Sequence, residues 1–101
     1  MQLRTLAHTR CGDKGNTVNI TVVANDLADY PRLVNQLTAN RVRTHFGDLV
    51  EGEVERYLVP HLGVLNFVIR DVLAGGVTRS LALDAHGKAL SSALLGLDVD
   101  D

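Results

Sequence analysis

At 101 residues the chain has the length of one domain, and 46% apolar with 22% charged residues is the make-up of an ordinary globular protein. A net charge of −2 excludes a general polyanion binder, which needs a basic excess. No apolar run nears the roughly 18 residues of a membrane span, the start Met1–Thr5 lacks the apolar stretch of a secretory signal, and a lone Cys11 cannot close an internal disulfide, so a cytoplasmic protein is expected.

Leu3 to Thr9 is short and apolar enough for a first strand. Val18, Ile20, Val22 and Ala24 alternate with Asn19, Thr21, Val23 and Asn25; this period of two, rich in β-branched residues, predicts a second strand. A polar turn over Asn25–Asp29 follows, and Asp29 is placed to cap a helix with Pro31 in its first turn. Leu33, Val34 and Leu37 line one face of that helix. A second helical piece is expected after Thr38, with Val42, Phe46 and Leu49 inward and Gly47-Asp48 as its stop. Glu53 to Val59 alternates again and Pro60 ends it, predicting a third strand with Glu53 and Glu55 sharing a face that is either solvated or cross-paired with Arg79. Leu62 to Leu73, closed by Gly75-Gly76, is long and apolar, and we read it as a helix, the alternative being a strand-turn-strand with all its residues in one core. A fourth strand is expected over Val77–Leu83 and a turn over Asp84–Gly87. Lys88–Leu95 fits either a short helix or a strand. The whole, residues 1–101, reads as one α+β domain, a two-layer sandwich of a four-stranded sheet with helices on one face.

The most informative stretch is Arg10-Cys11-Gly12-Asp13-Lys14-Gly15-Asn16, between two predicted strands. Glycines that take φ > 0 turn backbone N–H groups inward, and such a concave set holds an anion, with Lys14 and Arg10 adding charge. The same residues also suit a polar hairpin whose Asp13 accepts backbone N–H bonds. The spacing is not that of the phosphate loop of nucleotide hydrolases.

Gly12-Asp13-Lys14-Gly15-Asn16 followed by Asn19-Ile20 resembles the small C-terminal domain of the acyclic terpene utilisation AtuA family. Val54-Glu55-Arg56-Tyr57, Gly63-Val64-Leu65-Asn66-Phe67, Gly75-Gly76-Val77 and Leu81-Ala82-Leu83-Asp84 carry the same resemblance, in order, through nearly the whole chain. The resemblance implies a ferredoxin-like fold. It also implies a bacterial protein linked to degradation of acyclic terpenoid or branched acyl compounds. In that family the domain follows a much larger N-terminal domain, so this chain looks like a free-standing version. Cys11 stands where the family usually has serine, which counts against a nucleophile there.

Other groups add little chemistry. Cys11 lies near His8, Arg10 and Lys14 in sequence, and cations lower a thiol pKa, but nucleophilic work also needs an oriented base. His8, His45, His61 and His86 have no metal-ligand spacing, so no metal is expected, and nothing implies a cofactor. His61 is expected beside the Gly12–Asn16 loop. Aromatics are 4%, with no basic stripe for nucleic acid.

Read as a helix, Leu62–Leu73 is apolar all round, more than one face of a sheet can cover in a small domain. A homo-oligomer, or a complex with a larger AtuA-type subunit, is therefore expected, with Leu65, Phe67 and Ile69 at the interface. The leading expectation is an accessory or interaction domain. The rival is a small enzyme or a binder of an anionic ligand, a carboxylate or the phosphate of an acyl-CoA. Its site would combine Gly12, Asp13, Lys14, Gly15 and Asn16 with Asn19, Asn66, Gly75 and Gly76. There Lys14 holds the anion, Asp13 orients Lys14 or the loop amides, and no catalytic residue is assigned.

Overall fold

A computed structural model describes residues 1–14, 17–47, 50, 52–71 and 90–99. Four antiparallel strands, β1 (Ala7–Lys14), β2 (Thr17–Ala24), β3 (Val54–Val59) and β4 (Val64–Ile69), form one sheet in the order β1-β2-β4-β3. Helices α1 (Tyr30–Gln36), α2 (Ala39–Phe46) and α3 (residues 90–95) supply the second layer. The result is the expected α+β two-layer sandwich.

The inward positions of the central strands are all fully buried: Val18, Ile20 and Val22 on β2, and Leu65, Phe67 and Ile69 on β4. Against them pack Leu33 of α1 and Leu37 just after it, Val42 and Phe46 of α2, and Leu90 and Leu94 of α3. At roughly 25 cal/mol per Å² of apolar surface removed from water, this layer is the main stabilising element. Pro31 opens α1 and α2 begins after Thr38, both as the sequence implies; the Thr38 hydroxyl caps α2 by accepting from the Arg41 amide at 3.1 Å. Gly47 ends α2 at φ 58, a value that glycine adopts without strain. The expected Asp29 cap is not formed; Asp26 does that work one turn earlier, accepting from the Ala28 amide at 2.9 Å. The chain ends meet: the Met1 amino group donates to the Val99 carbonyl and the Leu3 amide to that of Leu97.

Three expectations need correction. Leu3–Thr5 is a 3-10 turn, and the first strand starts at Ala7 and runs on through Lys14. Most of the supposed polar loop is thus β-ladder. The segment read as a helix over Leu62–Leu73 is instead strand β4 from Val64 to Ile69, with strict alternation of buried and half-buried residues. A 3-10 turn over Pro60–Leu62 and Gly63 at φ 66 reverse the chain into it. A central strand with valines on its outer face loses the polar alternation that marks a one-sided strand. Finally, Leu65, Phe67 and Ile69 have no accessible surface within the single chain, so they belong to its own core and cannot form an interface. The predicted strand at 77–83 and turn at 84–87 lie outside the described residues, as do Leu49 and Arg79. Residues 90–95 resolve the last ambiguity as helix.

Candidate functional site

Among the described residues α1, α2 and α3 pack on one face of the sheet and nothing packs on the other. Strand register arranges that outer face in rows. His8, Val23, Val64 and Val59 form one, Arg10, Thr21, Asn66 and Tyr57 the next, and Gly12, Asn19, Val68 and Glu55 the third. The two central strands present Asn19, Thr21, Val23, Val64, Asn66 and Val68, all uncharged and all half-buried. In these rows charge is confined to the edge strands, with Arg10 on β1 and Glu55 on β3.

Three of the expected site residues, Gly12, Asn19 and Asn66, therefore share this face, although Asn66 arrives on a strand rather than a helix. Asn66 Oδ1 accepts from the Thr21 hydroxyl at 3.2 Å, a cross-strand bond that orients its amide within the face. The rest of the predicted set is not gathered into an anion cradle. Gly12 is paired in the ladder opposite Asn19 and lacks the left-handed φ that would turn its amide inward. The backbones of Asp13 and Lys14 pair with Val18 and Thr17. Gly15, Asn16, Gly75 and Gly76 lie outside the described residues.

Cys11 is exposed and, by register with Ile20, sits on the helical side of the sheet, while His8 and Arg10 alternate to the outer side. Proximity in sequence thus placed them on opposite faces. His8 Nδ1 is 2.9 Å from Asn25 Oδ1. His61 lies in the turn leading to Gly63, whose carbonyl accepts from the Ala24 amide, at the end of the sheet far from the β1–β2 turn.

Glu55 is fixed by two side chains of the same face. The Tyr57 hydroxyl donates to Oε2 at 2.9 Å and Arg70 Nε donates to Oε1 at 2.8 Å. These bonds, that of Tyr57 first, hold the Glu55 carboxyl below its ordinary range, and the same bond pushes the Tyr57 phenol up. Because Glu55 is depressed on folding, its small stabilising effect is present above the ordinary carboxylate range and fades as pH falls through the folded value. Glu55→Gln is expected to bring the Tyr57 phenol back toward its ordinary value, as read by NMR titration of the Tyr57 ring; an unmoved titration would mean that the bond does not persist in solution. Among the described residues Arg70 is thus the cationic partner of Glu55, and Arg79 lies outside them.

Open clefts bounded by described residues lie in the helical layer. One, of about 280 Å³, is bounded by Arg41, Thr44, His45, Leu97 and Asp98. Its polar groups already serve the fold: Arg41 donates to Gln36 Oε1 at 2.7 Å and to the Asp98 carbonyl, and His45 Nε2 sits 2.8 Å from the Ala93 carbonyl. Another, of about 290 Å³, lies between α2 and the start of β3. Among the described residues no group of three His, Cys, Asp or Glu side chains could hold a metal. No helix among them is long and apolar enough to cross a membrane.

Fold and surface define a class: a small ferredoxin-like α+β domain. The model of the AtuA ferredoxin-like domain matches residues 1–100, and the chain belongs to that family. No curated protein and no solved structure matches it. The outer-face residues that sequence reasoning missed are Val23, Val64, Val68 and Tyr57. Their signal was the period-two alternation of β4, which the helical reading concealed.

Proposed function

We propose that this chain is an interaction domain of an AtuA-type assembly, working through the outer face of its sheet. We place it in the bacterial cytoplasm and in the breakdown of acyclic terpenoid or branched acyl compounds. The observation that carries this reading is the uncharged centre of that face. A sheet face that stays in water is usually polar. Here valines, asparagines and a threonine occupy the two central strands, and charge is pushed to the edge strands. Depletion of charge at the centre with a polar rim is the anatomy of a protein–protein contact. Gly12, Asn19 and Asn66 then act as parts of a docking surface. The family context supplies the biological setting, since the AtuA ferredoxin-like domain accompanies a much larger domain.

Co-expression of the chain with a large AtuA-type subunit, and separately with a differently tagged copy of itself, tests this. Wild type is expected in an assembly heavier than the 10.9 kDa chain. Val64→Lys places a charge at the centre of the face and is expected to give a folded monomer that joins neither partner. Thr21→Arg serves the same purpose should Val64→Lys fold poorly. Assembly undiminished in both variants would overturn the reading.

A further inference from the structure

We infer that the protein seated on the outer face presents a carboxylate to Arg10. The inference rests on the interaction-domain reading above and adds the chemistry of the partner.

With histidine counted as neutral, the three rows of that face and the arginine paired to them carry two cations and one anion, although the chain as a whole has a net charge of −2. The anion is already engaged. Glu55 accepts from the Tyr57 hydroxyl on Oε2 and from Arg70 on Oε1, with Arg70 Nη2 also 2.8 Å from that oxygen. Arg10 is exposed, and among the described residues nothing hydrogen-bonds or ion-pairs with it. The uncompensated charge of the face is therefore one positive charge, on the β1 side. The exposed Glu53, just before β3, does not offset it, because it borders the cleft beside α2 at the opposite edge of the sheet.

The surroundings of Arg10 suit a carboxylate. Thr21 is its neighbour across the ladder, and Asn19 and Asn66 lie one step further along and across the sheet. The Thr21 hydroxyl donates to Asn66 Oδ1, which leaves the Asn66 amide N–H groups as donors. Gly12, two positions on from Arg10 on the same side, has open space where a Cβ would stand, so approach to the guanidinium is unobstructed there. A carboxylate accepts through two oxygens and donates nothing, so a guanidinium flanked by amide donors is matched to it. A free acid or phosphate held on a flat sheet would keep most of its surface in water, whereas small ligands are held in concave sites. A carboxylate carried in on a protein surface that also covers Val23, Val64 and Val68 needs no such cavity. A second copy of this chain does not supply it: its Glu55 is engaged in the same way, and it brings another Arg10.

Affinity of the full chain for the large AtuA-type subunit, measured by titration calorimetry at low and high sodium chloride, is the test. Arg10→Gln is expected to weaken binding about tenfold at low salt, and Arg10→Glu further, because the carboxylate first loses its partner and then meets a like charge. Arg10→Lys is expected to keep part of the affinity, having the charge without the planar fork. Wild-type affinity is expected to fall with salt, and that of Arg10→Gln to fall less. Arg32→Gln removes the same charge from α1, in the helical layer, and is expected to bind like wild type. Circular dichroism checks that each variant is folded. Arg10→Gln or Arg10→Glu as tight as wild type, or an equal loss in Arg32→Gln, would overturn the inference. So would a wild-type chain that joins only a second copy of itself. If Val64→Lys abolishes binding while the Arg10 variants bind normally, the interaction-domain reading survives without the carboxylate. If neither position matters, or wild type joins neither partner, both fall.

Discussion

Phe67→Ala is expected to cost about 3–5 kcal/mol of stability, the usual penalty for emptying a buried aromatic site. Phe67 is the largest fully buried side chain. It is central in β4, opposite Ile20 on one side and Arg56 on the other, so its ring closes the middle of the core. A domain of this size has roughly 5–15 kcal/mol in total, and Phe67→Asp, which buries a charge as well, is expected to leave the chain unfolded. Urea denaturation followed by far-ultraviolet circular dichroism measures the first. The second separates a core role from an interface role outright: a well-folded Phe67→Asp monomer would place Phe67 on a surface and contradict the packing.

Arg56→Ala is expected to cost about 2 kcal/mol, within the range for hydrogen bonds to charged groups. Arg56 stands on the helical side of β3 and donates through one guanidinium nitrogen to two carbonyls, Val34 at 2.7 Å and Leu37 at 2.9 Å. These carbonyls lie at the C-terminal end of α1, where the last turn has no intrahelical donors. One side chain therefore ties sheet to helix and satisfies the helix end, and a positive charge there also opposes the helix dipole. Arg56→Lys is expected to recover part of the loss, since an ammonium keeps the charge but not the planar fork. The unfolding midpoint of the three proteins in urea checks the order wild type, lysine, alanine; an alanine variant as stable as wild type would show that water replaces the guanidinium at no cost.

These two residues also mark where the sequence could and could not be read. Phe67 was visibly part of an apolar run, but its direction was not legible. A helix or strand could place it inward or outward, and only pairing with β2 and β3 fixed the alternation. Arg56 looked like one charge among the acidic residues of β3. Its bonds to α1 depend on carbonyls about twenty positions earlier, and no local pattern carries that information.

Where the pattern is local, sequence was sufficient. Strand β2, the Pro31 start of α1, the start of α2 after Thr38 and its Gly47 stop, and the end of β3 at Pro60 follow from periodicity and from residues whose backbone chemistry allows little else. The family too was legible, because its matching stretches fall in order along the chain. Tertiary structure alone decided that the greasiest segment is a central strand, that its leucine and phenylalanine close the chain's own core, and that Asn19, Asn66 and Gly12 come to share an outer face with Arg10 and Tyr57. The reason is physical. A strand satisfies its backbone and chooses its buried side through neighbours distant in sequence, whereas a cap or a turn is settled by the few residues that form it.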